Sequence, residues 1–216
     1  MFQQILFTQL RWTRTLILSM AVFTFAVPML AWNIGGDNTN LAPLAMINGF
    51  SMVGPMLVIA AWTLGFLLAA LPWGADSQSR HVYALSLPIP WERYVGLRFS
   101  AGALTLLIPT ISLLLGSLLV LAMIDLPGSL RAYPVSLALR FFLGTLLAYS
   151  ASFLLQYVAG RRAPMVLLII LVAGLGSFVA VAVFNRTDIV ERVVDLLVQW
   201  PGPLSIFASE WKLVDV

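Results

Sequence analysis

Of 216 residues, 61% are hydrophobic and only 10% charged, against about 45–50% and about 25% in an average soluble domain; the chain reads as an integral membrane protein, with room for five or six spans of about 20 residues and little else. Twelve basic residues oppose nine acidic ones, and eleven of the twelve are Arg scattered through loops, a balance that excludes nucleic acid as a partner. The lack of cysteine excludes disulfides, thiolate metal sites and palmitoylation.

Residues 1–14 mix apolar and polar side chains at roughly helical spacing and end in Trp12 and Arg14, the pattern of a helix in the membrane interface. It feeds a first span at 15–34, too long and too weakly marked by a cleavage site for a simple secretory signal. A second span is predicted at 44–71, broken near Pro55, and Pro72-Trp73-Gly74 leads into a polar segment at 76–90. The third, at 94–124, should bend at Pro109, because proline removes a backbone donor and crowds the preceding turn. A fourth is predicted at 133–159, followed by Gly160-Arg161-Arg162, and a fifth at 164–184, opened by Pro164. At 188–199, Ile189, Val193 and Leu197 recur opposite Asp188, Glu191, Arg192 and Asp195, which predicts an amphipathic surface helix. The fold class is therefore an all-α polytopic membrane bundle.

Arginine near the span ends sets the orientation. Arg11, Arg14, Arg80, Arg93, Arg98, Arg161 and Arg162 fall on one side, against Arg131, Arg186 and Arg192 on the other. The first side is read as cytoplasmic, with the N-terminus and the 76–90 loop inside. In that loop, Asp76 to Ser79 offer capping oxygens for a short helix running through about Leu85, and Pro88 and Pro90 end it. Pro90, Trp91, Glu92 and Arg93 restart a helix, with an acidic residue where the dipole favours it. Val82, Leu85 and Leu87 are apolar on this inside loop; they lie on the membrane surface or fill a cleft in a partner.

Inventory removes several activities. A haem between helices usually needs paired histidines, and His81 stands alone. All nine acidic residues lie at span ends or in loops, which leaves no intramembrane protease dyad. Lys212, the one lysine, follows no glycine-rich phosphate loop. No catalytic, cofactor-binding or metal-binding residue is expected, and no filter motif marks a channel. Arg140 is the one charge inside a span; it either serves function or snorkels to the outer interface. On the same helix Gly144, Ala148, Ser152 and Gln156 follow at four-residue intervals, which reads first as a packing seam and second as a substrate path.

The order of interfacial helix, two spans, an inside loop reading Asp76-Ser77-Gln78-Ser79-Arg80 and then Leu85-Ser86-Leu87-Pro88-Ile89, with Arg93, Gly96 and Arg98 at the next span, resembles the permease subunits of type-2 ATP-binding cassette exporters. The likeness covers about residues 1–184. It implies that Asp76, Ser79, Arg80, Tyr83, Leu85, Leu87 and Pro88 form a coupling helix docked on a separate P-loop ATPase subunit, which carries the ATP and Mg. It also implies that 1–14 is a connecting helix on the inner leaflet, that 189–199 is an external re-entrant element, and that a second permease chain completes a dimer in the cytoplasmic membrane. The family normally adds a sixth span, and this sequence shows none after 199. A non-transporting structural or assembly subunit of a larger membrane complex is the alternative reading.

Overall fold

Residues 2–36, 42–78, 90–123, 131–159, 211 and 213–215 are described by the computed structural model, and nearly all of them are helical. In chain order the elements are α1 (Phe2–Gly36), α2 (Ala42–Gln78), α3 (Trp91–Thr105), α4 (Leu107–Met123), β1 (Arg131–Ala132), α5 (Pro134–Ala159) and β2 (Val214–Asp215). Two compact units are present, one of residues 1–153 with 210–216 and one of 154–209. Of the second, only 154–159 are among the described residues. The span predicted at 164–184 and the surface helix predicted at 188–199 lie outside them.

Among the described residues, four helical stretches are long and apolar enough to cross a bilayer: Phe2–Ile34, Met52–Gly74, Trp91–Met123 and Pro134–Val158. At about 1.5 Å per residue even the shortest reaches about 34 Å, enough for a hydrocarbon core of about 30 Å. Val22, Met52, Ile59, Met123 and Val135 are among many large apolar side chains that stand exposed. In water so much apolar surface would drive aggregation; against lipid it is the surface that helices with internally satisfied backbones must present.

The buried side of α1 is a stripe, Ile5, Gln9, Thr13 and Ile17, continued by Thr24, Val27 and Ala31. Its first members step by four residues with no proline or glycine between them, so the predicted interfacial helix and the first span form one 35-residue helix. The second span likewise extends beyond its predicted limits. Pro55 and Pro72 both lie inside α2, where a proline removes a single hydrogen bond and the packed neighbours keep the helix going. The third is interrupted at Leu106 and resumes as α4, directly after Thr105, the residue whose carbonyl Pro109 has no N–H to bond. Pro90 is the N-cap of α3, in extended conformation, and Glu92 occupies the first turn.

Buried hydroxyls are accommodated by backbone carbonyls. Thr13 donates to Gln9 O at 2.8 Å, Thr105 to Gly102 O at 2.7 Å and Ser117 to Leu113 O at 2.8 Å, so these hydroxyls cost little in a dry interior. Thr24 reaches across helices, donating to Pro109 O at 2.9 Å and tying α1 to α4. Glycines among the described residues set helix separations. A Cβ on Gly65 of α2 would lie 2.6 Å from Thr145 O and 2.7 Å from the Ala148 Cβ of α5, and one on Gly116 of α4 would overlap the Phe25 carbonyl of α1. Such backbone approach is what small residues supply where lipid gives helices no hydrophobic reason to associate.

At the end of the bundle where α5 begins, β1 and β2 pair antiparallel, with Arg131 opposite Asp215 and Ala132 opposite Val214. The Tyr133 N–H donates to Leu213 O at 2.9 Å. Trp211 and Leu213 are buried; the Trp211 ring meets Phe141 edge-on at 6.3 Å, and its carbonyl lies near Gly54 of α2. The sequence offered no strand here, because two-residue strands have no periodicity to read. Trp211→Ala should release this tail. Hydrogen exchange is expected to accelerate at the Tyr133 amide and at 213–215 while the middle of α5 stays protected; unchanged exchange at Tyr133 would show that the β1–β2 pairing holds without the ring.

Candidate functional site

The residues Tyr94, Arg98, Ala101, Gly102 and Thr105 form the buried side of α3, at the spacing of one helical face. That face carries a positive charge into the bundle. Arg98 is only 5% exposed, its Nη1 donates to the Tyr94 hydroxyl at 3.0 Å, and its guanidinium carbon lies 5.1 Å from the Trp73 ring centre and 5.8 Å from that of Tyr94. A cation removed from water is expensive. Ring faces offset part of that cost, by about 2 kcal/mol where the pair is desolvated.

The rings extend the site to neighbouring helices. Trp73, near the end of α2, meets Trp91 at 6.4 Å and Phe153 of α5 at 5.4 Å, both edge-on. Trp91 lies 5.7 Å from Tyr94. Phe99 lies 5.3 Å from Tyr149 and 5.4 Å from Phe153. From α1, Ile5 packs with Tyr94 and Ala101. Gly102 is the point where α1, α3 and α5 converge: a Cβ there would overlap the Tyr149 hydroxyl and lie 2.7 Å from Gln9 Nε2. Gln9 is 4% exposed, and its Oε1 is buried with no hydrogen-bond partner.

A small cavity sits beside Arg98, lined by Ile5, Thr8, Gln9, Trp12, Tyr94 and Arg98, with about 20 Å³ open to water. That volume admits one water and no organic substrate. A wider groove of about 390 Å³ opens between α1 and α2, with Met20, Phe23, Met56 and Ile59 among its walls. Its two hydroxyls, Ser19 and Thr63, are bonded to their own helix backbones, so it presents an apolar surface. Among the described residues no cluster of His, Cys, Asp or Glu could hold a metal ion.

Of the sequence-predicted docking residues, Asp76 lies in the last turn of α2 together with Ser77 and Gln78, where the sequence predicted the cap of a new helix. Ser79, Arg80, Tyr83, Leu85, Leu87 and Pro88 lie outside the described residues. Gly144, Ala148 and Ser152 are buried on α5, and the Ala148 Cβ faces Gly65. Arg140 is half-buried in the second turn of α5. Arg98 was read from sequence as one of the charges that orient the chain and as part of the resemblance at the start of the third span, and not as a buried residue. The signal for more was present: Tyr94, Arg98, Ala101, Gly102 and Thr105 share a helical face that carries no other charge.

These features define a polytopic α-helical membrane protein with an arginine enclosed by aromatic rings at one end of its bundle. No protein-family model, curated protein or solved structure matches the chain.

Proposed function

We propose that the chain is the membrane-spanning permease subunit of an ATP-driven exporter, working as a dimer and moved by a separate P-loop ATPase subunit on which ATP and Mg are bound. The observation that carries this reading is how the two ends of the 79–89 segment are held. Trp73 near the end of α2 and Trp91 and Tyr94 at the start of α3 meet around Arg98, and the same cluster reaches α1 through Ile5 and α5 through Phe153. A force applied to the segment between α2 and α3 is therefore delivered to four helices at once. That is the mechanical requirement for a subunit that performs no chemistry itself. Docking would be made by the segment from Asp76 to Pro88, with Leu85 and Leu87 as the apolar contacts.

The described arginines support a cytoplasmic position for this end. Arg11, Arg14 and Arg93 are exposed on the same end of the bundle as Gln78, while Arg131 stands at the other. The N-terminus would then face the cytoplasm of the cell membrane.

The test is affinity purification of the tagged full chain from its native membrane, with mass spectrometry and an ATPase assay of what accompanies it. A P-loop ATPase should co-purify and should be lost in Leu85→Asp, with membrane insertion unchanged. Recovery of other membrane subunits and no ATPase would favour a structural or assembly role and retire the exporter reading.

A further inference from the structure

Helices α2 and α5 are joined differently along their length. A Cβ on Gly65 would lie 2.6 Å from Thr145 O and 2.7 Å from Tyr149 N, so there the two backbones touch. Toward the end where α5 begins, about 16 Å along α2 by helical rise, a Cβ on Gly54 would instead lie 3.4 Å from Trp211 O and 3.7 Å from Trp211 Cβ. The Trp211 ring meets Phe141 of α5 edge-on at 6.3 Å. A whole tryptophan therefore stands between the two helices, which diverge from Gly65 into a cleft. Its walls are apolar: Phe50 and Leu57 share the face of Gly54, and Leu137 shares that of Phe141, all of them buried. Within the cleft Trp211 is 4% exposed and Leu213 0%.

We propose that the tail is a removable plug: Trp211 and Leu213 fill this cleft, leave it together with β2 and return, while the helices stay packed. Two features separate the stability of the tail from that of the bundle. The joins of α2 to α5 at Gly65 and at Trp73 with Phe153 do not pass through the tail, so its departure leaves them in place. The backbone of the tail is held by a ladder of two-residue strands and by the bond from the Tyr133 N–H to Leu213 O, and so short a pairing is marginal without the side chains that dock beneath it. Segments held in this way open at a lower free energy than the whole fold. What opening exposes is an apolar cleft with room for an indole ring, at the end of the bundle opposite Arg98. The plug stands independently of the transport reading.

The chain contains no cysteine, so single cysteines report one position at a time. Leu213→Cys, Tyr133→Cys and Ala101→Cys are made in the full chain, placed in lipid nanodiscs and timed in their reaction with a water-soluble maleimide. Tyr133 is 45% exposed at the same end as the tail, and Ala101 is fully buried on α3. A removable plug sets an intermediate rate: Leu213→Cys should react about tenfold or more slower than Tyr133→Cys, and about tenfold or more faster than Ala101→Cys. Adding Trp211→Ala should bring Leu213→Cys to within about twofold of Tyr133→Cys and leave Ala101→Cys unchanged. Because cysteine fills less of the seat than leucine, hydrogen exchange at the Tyr133 amide of the unsubstituted chain is measured beside them; it should also fall between exposed and core amides, and it decides where the cysteine itself unseats the tail. Reaction of Leu213→Cys no faster than that of Ala101→Cys would make the tail a fixed part of the bundle and overturn the proposal. An unprotected Tyr133 amide would overturn it too, since the tail would then not be seated.

Discussion

Replacing Arg98 by alanine is expected to destabilise the bundle by about 3 kcal/mol, a fall of about 10 °C in the unfolding midpoint for a chain of this size. The figure is the cost of the space that alanine leaves where the long side chain packs against the Trp73 and Tyr94 rings, about 2–5 kcal/mol for a large-to-small change in a packed interior, while the lost ring and hydrogen-bond attractions are offset by release of a costly buried cation. Arg98→Met should behave differently. It keeps an unbranched apolar stem among the rings and removes a cation whose desolvation was costly, and hydrophobic replacements of buried charges are often neutral in stability. Arg98→Met is therefore expected to unfold near the native temperature. If the proposed exporter reading holds and the cluster transmits force from the 79–89 segment, the same variant should still support ATP hydrolysis by the proposed ATPase subunit but lose the coupling of hydrolysis to transport. Thermal unfolding in detergent and coupled assays in proteoliposomes separate the two effects. An Arg98→Met protein that is stable and fully coupled would remove Arg98 from the mechanism and leave it as a packing element.

Among the described residues the helices were legible where apolar runs were long. The span predicted at 133–159 became α5 at Pro134–Ala159, and the bend predicted at Pro109 fell at Leu106. Proline was a poor guide elsewhere, since Pro28, Pro55 and Pro72 all lie inside continuous helices. A missing N–H decides little when neighbouring helices hold the chain on both sides of it. The buried arginine was less legible because its environment is assembled from residues far apart in sequence. Trp73, Arg98 and Phe153 lie on α2, α3 and α5, and Gln9 on α1; no spacing rule links them. What sequence could offer was the shared face of Tyr94 and Arg98, and a charge near a span end reads first as an orienting charge. The pairing of β1 with β2 was illegible for the same reason, since it joins residues 131–132 to 214–215.

Gly116 is a place where a single added carbon should damage assembly. A Cβ there would overlap the carbonyl oxygen of Phe25 and stand 3.1 Å from its carbonyl carbon, so the obstacle is backbone, which cannot rotate aside as a side chain can. Helices α1 and α4 would have to separate, and the Thr24 hydroxyl would be drawn away from Pro109 O, now 2.9 Å distant. Overpacking of about 1–3 kcal/mol and the loss of an interhelical hydrogen bond worth about 1 kcal/mol then act together. Lipid fills the opened space as readily as protein does, so no hydrophobic penalty drives the helices back together. Gly116→Leu is expected to lose about 3 kcal/mol or more and to yield little monodisperse protein on extraction. Gly96, by contrast, stands exposed on α3 with nothing near its missing Cβ. Gly96→Ala should therefore leave extraction unchanged and raise the unfolding midpoint slightly, because alanine is the better helix former by up to about 1 kcal/mol. Size-exclusion profiles and unfolding midpoints of the two variants, side by side, check the contact. A well-behaved Gly116→Leu protein would mean that α1 and α4 do not approach at backbone distance, and that the Thr24–Pro109 bond does not hold them together.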